Sequence, residues 1–155
     1  MRQIAKGFAA AIQTKSEKGI NMFKLIKILN SGVNVPDIIT YPKDPNENII
    51  AGPPMQIRDG SLVNCPENQV PLYMSVEDAV NGETTIDCYQ IDSNMIFETY
   101  MYGNEENLKF GDKVILFVND FGQATGLSEE KTAAVATVLD IKKLPDGQLV
   151  STLKF

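Results

Sequence analysis

Histidine and tryptophan are missing from this chain altogether, and cysteine occurs twice in 155 residues. Without histidine no side chain titrates near neutrality at its ordinary pKa. The chain has no imidazole for a Ser/His or Cys/His relay and lacks the commonest metal ligand. Hydrolases built on such relays and most zinc enzymes are therefore excluded. Cys65 and Cys88 stand 23 positions apart with no neighbouring ligand, which gives neither a zinc pattern nor a disulfide framework. Both are expected as small core side chains in a reducing cytoplasm. No apolar run approaches the roughly 18 residues that cross a bilayer. The short run 7–12 follows Arg2 and Lys6, but Gln13-Thr14-Lys15 stands where a small-residue cleavage site belongs, so export is not expected. Phosphate loops of the G-x-x-x-x-G-K-[ST] kind and G-x-G-x-x-G turns are absent too.

What is present is an ordinary globular composition, 43% hydrophobic and 22% charged, with 11 glycines and 8 prolines. The length fits one domain that buries roughly 70% of its unfolded surface. The net charge of −6 argues against a whole-surface nucleic-acid binder. That total conceals a split. Residues 1–30 carry six basic side chains and one acid, a formal +5, while the rest carries eight basic and 19 acidic ones, a formal −11. Such a leader reads either as an arm that contacts something other than its own domain or as a solvated tail drawn back to its own acidic surface.

In residues 3–18, Ile4, Phe8 and Ile12 recur every fourth position, so this arm is helical or could become so. A helix so short is marginal alone and needs something to pack on. Gly19 and Asn21 supply a stop, and Met22 begins a different texture. From Phe23 onward the pattern is β. The spacing predicts strands over 23–29, 49–57 (broken at Gly52-Pro53-Pro54), 62–63, 70–76, 85–91 and 95–102. Within 85–91, Ile86, Cys88 and, after a slip, Ile91 are expected inward.

Residues 107–155 read as a compact unit. Its strands are expected at 113–118, 133–141 and 148–155, with a polar loop from Gly126 to Thr132. Residues 36–48 are expected as loop, because Pro36, Pro42 and Pro45 forbid a central strand. Arg58-Asp59-Gly60-Ser61 and Pro145-Asp146-Gly147 are turn signals. Many short strands with such turns make the fold mainly β, a small barrel or sandwich with a helical or extended N-terminal arm. The division is a basic arm over 1–21 and one β-rich domain over 22–155.

A search for chemistry returns mostly turn residues. Asp59, Asp112, Asp120 and Asp146 each sit beside a glycine or an aromatic, where Asp serves the turn itself. Glu105-Glu106 and Glu129-Glu130 read as solvated surface, and Ser128 has no base. A trimeric nucleotide hydrolase would need an acidic loop bearing Gly and Tyr, and none is found. Phe97, Tyr100 and Tyr102 could stack bases, yet no basic residue lies between Arg58 and Lys109, so packing is the better account. Neither a catalytic set, a metal site nor a cofactor is expected. The Pro-rich stretch 33–57 is long for a loop. Its Val33, Val35, Ile38, Ile39, Ile49, Ile50 and Met55 must be covered by the same chain, a symmetry mate or a larger partner.

From Met22 to Phe155 the chain resembles the small auxiliary head proteins of tailed phages. The likeness is carried, in order, by Phe23–Leu29 with Val33-Asn34-Val35-Pro36, by Asn94-Met95-Ile96-Phe97-Glu98-Thr99, by Leu108–Val114 with its Gly111-Asp112-Lys113-Val114 turn, by Ala134–Asp140, and by Leu149–Phe155, where Lys154 precedes the terminal Phe. Residues 1–21 precede the usual start of that pattern.

The resemblance implies a decoration or cement protein that binds the major capsid protein on the outside of the virion after synthesis in the host cytoplasm. It implies a protein that stabilises the shell by bridging subunits, is often a homotrimer, and has no catalytic role. Neither nucleic acid nor membrane is an expected partner. Candidate partner-binding residues are Ile4, Lys6, Phe8, Ile12, Lys15 and Lys18 on the arm, with Ile38, Ile39 and Tyr41 in the Pro-rich stretch. The alternative is a small-molecule or carbohydrate-binding β-sandwich, or an enzyme using carboxylates alone, with Asp87 and Glu98 expected on adjacent strands.

Overall fold

This computed structural model describes residues 23–32, 35–49, 52–102, 108–119, 122–129 and 133–155, and among them eleven strands form two sheets. The expected arm lies outside the described residues. The strands are β1 (Lys24–Ile28), β2 (Ile39–Pro42), β3 (Pro54–Arg58), β4 (Ser61–Asn64), β5 (Tyr73–Ser75), β6 (Thr85–Gln90), β7 (Met95–Met101), β8 (Lys113–Val118), β9 (Ala124–Glu129), β10 (Ala136–Lys143) and β11 (Leu149–Lys154). The described residues contain no helix. The expected mainly-β fold is what forms.

Five strands close a barrel in the order β7-β11-β10-β8-β9. The ring shuts where β9 runs parallel to β7, with Met101 opposite Leu127 and the Tyr102 N–H donated to the Leu127 carbonyl at 2.7 Å. One edge of β7 serves two neighbours in turn, β1 along Met95–Glu98 and β9 beyond it, while β11 takes the other edge. Closure removes unpaired edges and leaves an interior of alternating side chains. Phe97, Met101, Val114, Leu116, Leu127 and Leu153 fill it, all buried. Phe155 closes one side, 5.5 Å from the Phe97 ring and 5.8 Å from that of Phe23.

Val138 and Ile141 both contribute to this core although they are three positions apart, an odd spacing that strict alternation would put on opposite faces. A bulge between Val138 and Asp140 inserts Leu139 and resets the alternation. A similar irregularity between Leu25 and Lys27 leaves Ile26 exposed while Leu25 and Ile28 pack on the core.

The other five strands form an antiparallel roll in the order β2-β6-β5-β3-β4. A parallel bridge from Lys43 to Leu62 links its two ends. The β3–β4 hairpin turns at Asp59 (φ 53°) and Gly60 (φ 83°), two left-handed residues in succession. That is the type I′ turn the Asp-Gly pair predicts. Ile49, Met55, Leu62, Ile86 and Cys88 make the roll's own core. Strand β6 is buried on both faces, because Tyr89 joins Met74 and Cys65 in the barrel's core cluster. The roll and barrel therefore share apolar packing. Hydrogen bonds reinforce it, from Leu116 N–H to the Glu67 carbonyl at 3.0 Å and from Gln123 Nε2 to the Asn48 carbonyl at 3.3 Å.

Two sequence expectations fail locally. Residues 36–48 hold a strand, β2, instead of loop throughout. Lys43 N–H bonds the Thr84 carbonyl, and alternation along the ladder turns the Tyr41 and Ile39 amides toward β6 as well. Pro42 thus occupies a position whose amide would point away from the sheet, so its missing N–H costs no ladder bond. The loop expected over Gly126–Thr132 is instead strand β9 up to Glu129. A β-carbon on Gly126 would stand 2.6 Å from Tyr102 Cε2, so this glycine is a strand residue where a ring lies on the backbone.

Candidate interaction surface

Of the residues singled out in the sequence, Ile38, Ile39 and Tyr41 fall together along β2. Ile38 and Ile39 are 49% and 41% exposed, and Val35 just before them is 73% exposed. Tyr41 is half-buried against Tyr73, with ring centroids 5.0 Å apart. Ile4, Lys6, Phe8, Ile12, Lys15 and Lys18 lie outside the described residues. The Pro-rich stretch divides: Ile49 and Met55 go into the roll's core, whereas Val35, Ile38 and Ile39 remain on the surface.

The roll concentrates exposed apolar side chains. Among the described residues, seven of the ten large exposed ones belong to it: Val35, Ile38, Ile39, Val70, Leu72, Val76 and Val80. It also concentrates acid. Between residues 35 and 92 there are ten acidic side chains, opposed only by Lys43 and Arg58, a formal −8. Both cations are consumed internally. Lys43 is fully buried, and its Nζ donates to the carbonyls of Asp44, Glu83 and Val80 at 2.8, 3.1 and 3.2 Å. Burial pulls its pKa below the ordinary lysine value, against the pull of Glu83, Asp44 and Glu47.

Arg58 Nη2 lies 3.3 Å from Asp44 Oδ2 and 3.8 Å from Glu47 Oε2. Asp44 is held below the ordinary carboxylate range, first by the Asn46 N–H at 2.9 Å and then by Arg58. Glu47 Oε1 in turn accepts from the backbone and side-chain nitrogens of Asn64, each at 3.0 Å. No cation of the roll is left to balance the outer acids.

A second feature lies on the outside of the barrel. A groove of about 280 Å³ is lined by Lys24, Glu98, Tyr100, Lys142, Leu144 and Val150, among others. Glu98 Oε2 meets Lys142 Nζ at 3.5 Å. Tyr100 stands edge-on to Tyr102 at 6.3 Å, and Tyr102 stacks on Phe117 at 4.2 Å. Sequence reasoning assigned Tyr100 and Tyr102 to packing and did not find this strip. Their alternation with Phe97, Thr99 and Met101, in phase with Glu98, was the available signal. Phe97 from the same group is core.

The carboxylate pair expected on adjacent strands is not brought together. Asp87 belongs to β6 in the roll, where it accepts from Thr40 Oγ1 at 2.6 Å, and Glu98 belongs to β7 in the barrel. The strands are consecutive in sequence but lie in different sheets. Among the described residues no group of three His, Cys, Asp or Glu side chains could hold a metal ion. Cys65 and Cys88 are free and buried. Burial pushes their thiols up to about 12 and about 11. Asp112 and Asp146 serve turns, accepting from Lys109 N at 2.8 Å and Gln148 N at 2.9 Å.

No protein-family model matches the chain, and no curated protein does. Among solved structures, it is similar to the N base of the head fiber protein gp8.5 of bacteriophage phi29. The identity is 16%, over 77% of this chain and 95% of that one, with a TM-score of 0.46. At that score the likeness identifies neither a family nor a function.

Proposed function

We propose that this chain is a virion structural protein of a tailed phage that binds the outside of the capsid and bridges its major subunits, with no catalytic role. One structural observation carries the binding part of the reading. Among the described residues the roll carries most of the exposed large apolar side chains, and both of its cations are engaged by its own oxygens. Apolar patches rimmed by polar groups are typical of protein contact sites. The capsid part follows from the ordered sequence resemblance to tailed-phage head decoration proteins. Repetition over a shell lets weak contacts sum by avidity, and a trimer would multiply them further.

Co-sedimentation of the purified chain with capsid particles, followed by imaging, tests the reading. Saturable binding with added density on the outer face is expected. Failure to sediment with any tailed-phage capsid, matched or heterologous, would sink it.

The groove beside Tyr100 favours a second reading, a module that binds a small molecule or carbohydrate. Aromatic faces beside a paired carboxylate and ammonium suit a sugar ring. A rise in Tm with a sugar from a ligand panel, lost in Tyr100→Ala, would support this reading over the first.

A further inference from the structure

Strand β2 opens the roll's sheet order, with β6 along one side and β4 on the other at the Lys43–Leu62 bridge just past its end. The ladder phase fixes which of its backbone groups are turned outward. Lys43, Tyr41 and Ile39 direct their amides to β6, so the N–H and C=O groups of Ile38 and Thr40 face away from the sheet. At the far end the edge is closed, because the Asp44 N–H bonds the Leu62 carbonyl at 3.1 Å. Pro42 and Pro36 bracket what remains, residues 37–41, which pair with no strand on that side among the described residues.

We infer that this edge is a strand-addition site for an extended, basic segment of a partner protein. The incoming strand exchanges main-chain hydrogen bonds with Ile38 and Thr40, the mode by which sheets capture extended peptides. Alternation puts its apolar side chains on one face, beside the exposed Ile39. Its lysines or arginines fall on the other face, toward Asp87, which already holds the Thr40 hydroxyl at 2.6 Å.

Charge selects this occupant over a second copy. Pairing β2 with its own symmetry mate would bring two rolls of formal −8 together. The edge is short, so one contact is weak and many copies on a shell must act together. The inference deepens the capsid-binding reading and rests on it for where the segment comes from, namely the major capsid subunit. The edge itself is testable without a capsid.

The probe is a synthetic decapeptide alternating valine and lysine, titrated into the isotope-labelled full chain and followed by amide NMR. The control peptide carries glutamate in place of lysine. Shift changes and slowed exchange are expected at the Ile38 and Thr40 amides, with little change in exchange at Ile39 and Tyr41, which already bond β6. Binding should weaken with salt and be absent for the glutamate peptide. Ile38→Pro removes an outward amide at an exposed position where proline is tolerated. It should lower affinity at least tenfold while the resonances of β6 stay in place.

No binding at millimolar peptide, equal binding by the glutamate peptide, or full binding by Ile38→Pro would each overturn the inference. So would tighter capture at this edge of a peptide copying residues 1–22, since the occupant would then be the chain itself. Capsid binding without peptide binding would remove strand addition alone. Peptide binding without capsid binding would remove the capsid reading and leave the edge.

Discussion

The ring of Tyr102 lies against the backbone of Gly126, so closely that a β-carbon there would stand 2.6 Å from Cε2 and 2.8 Å from the Tyr100 carbonyl oxygen. This contact sits at the barrel's closure, one residue from the parallel pair Met101 and Leu127. Gly126→Ala should therefore lower stability by about 1–3 kcal/mol, the usual range for overpacking. Chemical denaturation reads the loss. Adding Tyr102→Ala should recover only part of it, because the Tyr100 carbonyl cannot move without disturbing the ladder. Full recovery in the double variant would show that the ring alone was responsible.

Lys43 makes a different kind of closure. Its ammonium collects three carbonyls from residues 44, 80 and 83 and ties the loop after Ala79 to the end of β2. Lys43→Met keeps the stem but strands those carbonyls, and should cost about 2–4 kcal/mol in urea unfolding. A neutral result would mean that water replaces the ammonium at no loss.

Acid should weaken the same corner. The Asp44 carboxylate has a folded pKa below its ordinary 3.8, owing to the Asn46 amide first and Arg58 second. A carboxylate shifted downward stabilises the fold above its unfolded pKa, and that contribution disappears as pH falls through 3.8 toward the folded value. Asp44→Asn should be less stable than the parent near neutrality, and the difference should shrink in strong acid. A difference independent of pH would assign the effect to packing.

The thiols offer a probe of opening. With burial holding Cys65 at about 12 and Cys88 at about 11, the thiolate that reacts is scarce at neutral pH. Thiol reagents should label neither cysteine quickly in the native protein and both promptly in denaturant. Stopped-flow labelling distinguishes these cases. Rapid reaction of one native thiol would show local opening around that strand.

Local chemistry was legible before the fold was known. The left-handed pair Asp59-Gly60, the turn at Asp146-Gly147 and the capping carboxylate of Asp112 follow from the dihedrals and side-chain bonds those residues favour over a few positions. The lack of basic residues around Phe97 was likewise enough to assign it to packing, and it is buried in the barrel. Partway between stand Ile38 and Ile39. Their sequence announced apolar groups in need of cover, but not that they lie along an open edge.

The sequence by itself determined the β character of the chain, its turns, and the burial of both cysteines, because each depends on residue type and near neighbours. Tertiary structure decided the rest. It made β2 a strand by giving Tyr41 and Ile39 a partner in β6 on the side opposite the absent amide of Pro42. It turned Gly126 from an expected loop glycine into a strand residue, and it reset the inward positions of β10 through one bulge at Leu139. It also placed Asp87 and Glu98 in different sheets and buried Lys43 among carbonyls from distant loops. Strand pairing is non-local, so its hydrogen bonds and burial belong to partners that the local pattern of residues does not name.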